Sequence, residues 1–93
     1  VLKHCSVYVD VRGPEGDDQG AWFVDTLKLL GARVQARLGS ACTHIVFRGG
    51  GAGTLQRYTT LPDPRPAVVG VGWVVGCAEQ VKALETGPYA VDV

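Results

Sequence analysis

Neither charge nor sulfur is in surplus in this chain. Nine Lys and Arg offset nine Asp and Glu, methionine is absent, and cysteine occurs three times. A formal charge of zero removes the global field that would draw the molecule to nucleic acid or a membrane surface. Cys5, Cys42 and Cys77 are odd in number and widely spaced. That excludes a disulfide framework and a C-x-x-C metal half-site, so they read as buried thiols of a reducing compartment. No metal is expected at His4 or His44. No apolar run reaches the about 20 residues that a bilayer requires, so a membrane is not expected as partner. The chain starts without methionine and shows no signal-peptide pattern, and so it reads as a module of a longer protein.

What is present suits a globular fold: 93 residues, 46% hydrophobic and 19% charged, expected as one domain over residues 1–93. CSVYVDV, residues 5–11, alternates apolar and polar positions and predicts a strand. The RGPEGDDQG break follows, with Asp17 or Asp18 placed to cap a helix over about residues 19–30, since a short carboxylate accepts the free N–H groups of a first turn. Phe23, Thr26, Leu27 and Leu30 form its inner face, and Gly31 stands where a left-handed C-cap belongs. ARVQARL predicts a second strand and THIVF, residues 43–47, a more central third. The glycines at 49, 50, 51 and 53 predict a flexible loop before a short helix, TLQRYTTL. PDPRP reads as a stiff exposed linker, AVVGV as a fourth strand, and residues 72–84 as a helix with Trp73, Cys77, Val81 and Leu84 on one stripe. YAVDV reads as an extended tail. This order of elements argues an α/β domain with a small parallel sheet and helices on both faces.

The most conspicuous segment, VGVGWVVGC at residues 69–77, is not a dinucleotide loop. Its glycines, Gly70, Gly72 and Gly76, are one residue too widely spaced for G-x-G-x-x-G, and no second strand with a ribose-binding acid follows. It reads as the end of a buried strand turning into a core helix, with Gly76 permitting close packing.

Groups for catalysis are sparse. His44 sits inside a strand beside Thr43 and reads as a structural histidine rather than a general base. Ser6 and Ser40 have no His/Asp partner at motif spacing, and no P-loop lysine follows GGGAG. No catalytic residue, metal or cofactor is expected. Charge is uneven locally, however. Thr26 to Pro62 contains no acid but holds Lys28, Arg33, Arg37, Arg48 and Arg57, whereas Asp10 to Asp18 is acidic apart from Arg12.

The first strand, Leu30-Gly31-Ala32 leading to Val34, the run Thr43-His44-Ile45-Val46 and the pair Trp73-x-x-x-Cys77 together resemble a BRCT domain. The resemblance runs from Leu2 to about Leu84. It implies a four-stranded parallel sheet in order 2-1-3-4 flanked by three helices, the first and third on one face and the second on the other. In it Gly31, Thr43, His44, Trp73 and Cys77 are structural. It further implies a nuclear protein of DNA-damage signalling, repair or checkpoint control, and a non-catalytic domain that recruits protein partners, often phosphorylated ones. Phosphate-binding members use a Ser or Thr hydroxyl after the first strand, the N–H of the next glycine, and a lysine in the second helix. Here those positions hold Arg12, Gly13 and Gln56, with Arg57 alongside. Two of the three are changed, and Glu15, Asp17 and Asp18 would repel a dianion. The reading from sequence is therefore an interaction module without the standard phosphoserine pocket. Two alternatives stand beside it: phosphopeptide binding by Arg12, Gly13 and Arg57, and weak nonspecific DNA binding through Lys28, Arg33, Arg37 and Arg48. A second BRCT domain in the parent chain would pair through an apolar stripe on the second or third helix.

Overall fold

A computed structural model describes residues 2–13, 15, 18–39, 41–62 and 65–91. Strands β1 (Ser6–Val11), β2 (Arg33–Val34), β3 (His44–Arg48) and β4 (Ala67–Val69) form one sheet, paired in parallel in the order β2-β1-β3-β4. Helices α1 (Ala21–Leu29), α2 (Ala52–Thr60) and α3 (Val71–Gln80) complete the fold, with a 3-10 turn at Gly87–Tyr89.

The alternation of β1 builds both sides of the core. Val7, Val9 and Val11 point to α1 and α3 and pack in a cluster with Leu27, Val46, Val69, Trp73, Val74 and Cys77. Tyr8 points the other way, into a smaller cluster with Ile45, Leu61, Val68 and the α2 ring Tyr58. Each fully buried Val or Leu contributes about 1.5–3 kcal/mol relative to exposure, so the first cluster dominates the stability. α1 and α3 therefore lie on one face and α2 on the other.

Several boundaries differ from the sequence reading. β2 is only two residues long, not seven. After Val34 the backbone holds one further β1 bond, Gln35 N–H to the Val7 carbonyl at 2.8 Å, and then leaves the sheet so that Leu38 can enter the second cluster. α2 starts at Ala52, two residues before TLQRYTTL, because part of the glycine cluster packs instead of moving freely. Gly49 has φ +62, a backbone region where glycine is at ease, and a Cβ at Gly50 would collide with the Asp10 carboxylate and approach the Phe47 ring at 2.7 Å. α3 ends at Gln80, well short of Leu84, because Val81 adopts a left-handed conformation with φ 50. Val81 is exposed as a result, and Leu84 folds back over Gly76. Pro66 is buried, so the PDPRP segment is not exposed throughout; its Asp63 and Pro64 lie outside the described residues. α1 is entered through Gly20, whose N–H donates to the Asp18 carboxylate at 2.9 Å; Asp17, like Ser40, lies outside the described residues. The tail turns at Gly87–Tyr89 and pairs antiparallel with the free edge of β4, Val91 N–H donating to the Val68 carbonyl at 2.9 Å.

Candidate functional site

In an open parallel sheet the strand carboxyl ends face the helix N-termini, and ligands meet the protein there. Here β1 and β3 end at Val11 and Arg48, and the chain returns through Gly49–Gly51 into α2. An unoccupied helix N-terminus at such a point attracts anions, through its free N–H groups and its dipole.

A buried carboxylate already sits against this helix end. Asp10 follows Tyr8 on the α2 side of β1 and is only 4% exposed. Its Oδ2 accepts from the Gly51 N–H at 3.1 Å and from the Thr54 hydroxyl at 2.7 Å, while Oδ1 accepts from Arg12 Nε at 3.1 Å. One carboxylate thus holds the Gly51 N–H and the Thr54 side chain at the entry to α2 and neutralises the nearest guanidinium. The close packing at Gly50 is the counterpart of this arrangement, since any side chain there would displace the carboxylate.

Arg12 continues β1, its N–H donating to the Arg48 carbonyl at 2.9 Å, and Gly13 follows it half-buried. Gln56 is exposed on α2. Arg57 turns away from Arg12 and Gly13: its Nε donates to the Leu38 carbonyl at 3.2 Å, tying α2 to the loop after β2. The structure therefore does not gather Arg12, Gly13, Gln56 and Arg57 around one point. It gathers Arg12 with Asp10 and Thr54, and it places Arg57 with Arg37 on a groove of about 290 Å³ that Tyr8 and Leu38 also line. The basic set is dispersed: Lys28 lies on α1, Arg33 pairs with Ser6 at the start of the sheet, and Arg48 pairs with Val11 at its far end.

The structural set sits elsewhere. Trp73 is buried, donates from Nε1 to the Leu84 carbonyl at 3.0 Å, and stacks on His44 at 4.7 Å with planes 16° apart. The Thr43 hydroxyl lies 2.8 Å from Nδ1 of His44 and accepts from the Ser6 N–H at 2.9 Å, which joins β3 to β1. Burial holds the His44 pKa below its ordinary value, so the neutral ring is the favoured form. Gly31, with φ 93, carries the chain from α1 toward β2. Cys5, Cys42 and Cys77 are free thiols. Burial, and then the neighbouring Cys77, push the Cys5 thiol up, away from nucleophile character. No group of three His, Cys, Asp or Glu placed to hold a metal occurs among the described residues.

The family model for the BRCA1 C Terminus (BRCT) domain matches residues 1–78. The chain belongs to that family. BRCT domains are non-catalytic interaction modules, and the sheet order and helix placement above are theirs. The fold is similar to the C-terminal BRCT domain of human XRCC1, with TM-score 0.77 and 13% identity over 98% of this chain and 92% of that one. It is also similar to the BRCT domain of the human DNA repair protein REV1, at 0.70 and 15% over 99% and 88%. A third similar structure is BRCT3,4 of S. pombe Rad4, at 0.73 and 21% over 98% and 49%. At these identities the likeness is one of fold. No curated protein sequence matches the chain.

Asp10 is the residue that reasoning from sequence passed over. Nothing local marks it, because its partners Gly51 and Thr54 follow a different strand about forty residues along the chain. An exposed apolar stripe on the second or third helix would have favoured pairing with a second BRCT domain. Among the described residues the large exposed apolar side chains are Trp22 and Leu29 on α1 and Val81 after α3, and α2 contributes none.

Proposed function

We propose that this BRCT domain is a phosphate-independent protein-interaction module of a nuclear protein in DNA-damage response, checkpoint control or chromosome condensation. The observation that carries the phosphate-independent part is Asp10. A phosphate entering at Arg12, Gly13 and the start of α2 would meet a resident carboxylate already bonded to Gly51, Thr54 and Arg12. Displacing that carboxylate would leave a buried charge unpaired, at a cost of several kcal/mol. Exposed Glu15 and Asp18 add repulsion. The nuclear setting is supported by the repair proteins XRCC1 and REV1 among the similar structures. Within the family, the segments LKHCSVYVDV, THIVF and WVVGC resemble the amino-terminal BRCT domain of microcephalin. The placement of the basic residues disfavours direct DNA binding, since a phosphate track needs contiguous cations and Arg33 and Arg48 lie at opposite ends of the sheet.

Matched degenerate peptide libraries, one with a fixed phosphoserine and one with serine, test this reading on the immobilised domain. Equal recovery from both is expected. Phosphoserine-dependent recovery that is lost on Arg57→Ala would overturn it.

A further inference from the structure

We infer that the groove between α2 and the loop after β2 receives an extended segment of a partner protein bearing an unphosphorylated Glu or Asp beside a small aliphatic residue. This rests on the phosphate-independent reading above and specifies the chemistry of the partner.

The groove of about 290 Å³ is lined by Tyr8, Ala36, Arg37, Leu38, Thr54 and Arg57, with no carboxylate residue on its walls. Its two guanidiniums are available. Arg57 uses Nε on the Leu38 carbonyl, which fixes the plane of its fork and leaves its terminal N–H donors for a ligand. Arg37 is exposed and has no ion-pair partner among the described residues. The floor is rigid, because Leu38 is 6% exposed and belongs to the second core cluster. Two guanidiniums, one of them held by its Nε bond and neither with an internal counter-ion among the described residues, suit a carboxylate, which they can bind in bidentate fashion.

A second cavity, of about 310 Å³, adjoins this groove, since Tyr8 and Ala36 line both. Val9, Val24 and Val34 supply its apolar walls, and Asp10, Arg12 and Asp18 line it as well. Its wall is the part of β1 that the short β2 leaves uncovered. Alternate residues of a parallel strand bond to opposite neighbours. Ser6 and Arg12 bond toward β3, whereas Val7 and Val11 accept from Gln35 and Gln19 on the other side, at 2.8 and 2.9 Å. Val9 lies between those two and faces that same side, with no backbone partner there among the described residues. Its N–H and C=O offer one peptide unit a strand-like pair. An acid for the arginines, an aliphatic side chain for the valines and an extended backbone for Val9 make one continuous ligand. A polyanion such as duplex DNA would instead run from the arginines toward the exposed carboxylate of Asp18.

Fluorescence anisotropy with labelled peptides tests this. The probes are a Gly/Ser-flanked Glu-Val-Glu peptide, its Gln-Val-Gln and phosphoserine-Val-phosphoserine counterparts, and a DNA duplex. The acidic peptide should bind. Affinity should fall roughly tenfold with the Gln peptide, and by a similar factor with Arg37→Gln or Arg57→Gln. Arg37→Gln removes no internal hydrogen bond of the side chain, so its melting temperature should match wild type. Amide shifts on binding should centre on Val9, Ala36 and Gly53. Equal binding of the Gln peptide, an unaffected Arg37→Gln variant, tighter binding of the duplex, or shifts confined to the α1 face would each overturn the inference. The phosphoserine arm reads the underlying proposal separately: binding that shifts Gly13 and Gln56 and is indifferent to Arg37→Gln would overturn phosphate independence.

Discussion

Replacing Trp73 by alanine should come close to unfolding the domain. The side chain is 1% exposed, packs with Leu27, Val74 and Cys77, stacks on His44, and donates to the Leu84 carbonyl. Removing a ring from such a site costs about 3–5 kcal/mol through lost transfer energy and a residual cavity. The lost indole bond accounts for about 1 kcal/mol of such a total, and it also frees the segment that folds Leu84 over Gly76. Domains of this size are stable by about 5–15 kcal/mol, so the variant would retain little. At about 4–8 °C per kcal/mol, its melting temperature should fall by more than about 12 °C. Trp73→Phe keeps most of the packing and should cost less than half as much. Urea unfolding followed by circular dichroism measures both variants, and the exposed Trp22 reports the same transition by fluorescence. A loss under about 1 kcal/mol for Trp73→Ala would refute the placement of α3 against the sheet.

Asp10→Ala should destabilise by about 2–4 kcal/mol in chemical denaturation, because the Gly51 N–H, the Thr54 hydroxyl and Arg12 lose one shared acceptor. Gly50→Ala should reproduce part of that loss by pushing the same carboxylate out, and the two substitutions should combine to less than their sum in a double-mutant cycle. His44 gives a pH dependence. Its folded pKa lies below the unfolded value, so in the window between the two the unfolded chain binds more protons. The stability contributed by the neutral ring is complete above about pH 6.5 and is lost as pH falls through that window. Thermal melts at neutral and mildly acidic pH should show that loss in wild type and a smaller one in His44→Gln.

Much of this was legible before the structure because it depends on local pattern. The alternation of SVYVDV set both core faces, and the spacing of Trp73 and Cys77 located the third helix. Gly31 marked the end of the first helix through its backbone conformation. What escaped were effects of tertiary contact. β2 stops after Val34 because Leu38 is drawn into the second cluster, which no periodicity in ARVQARL reveals. Val81 fits the stripe of a longer helix, yet Leu84 satisfies the Trp73 indole only if the chain turns first. At the site, Arg12 and Arg57 stand out in the sequence as cations, while the deciding group is the acid that Arg12 pairs with. A buried Asp shows its role only through its partners, and Gly51 and Thr54 lie about forty residues along the chain.

The central claim is that Asp10 holds the place where a phosphate would bind. Titrating the isotope-labelled domain with a blocked phosphoserine, and following the amides of Gly13, Gly51 and Thr54, tests it most directly. Wild type should show no saturable shift at these amides. Asp10→Asn, which leaves Arg12 and the start of α2 without their carboxylate, should acquire one. Saturable shifts at Gly13 and Gly51 in the wild-type domain would contradict the account.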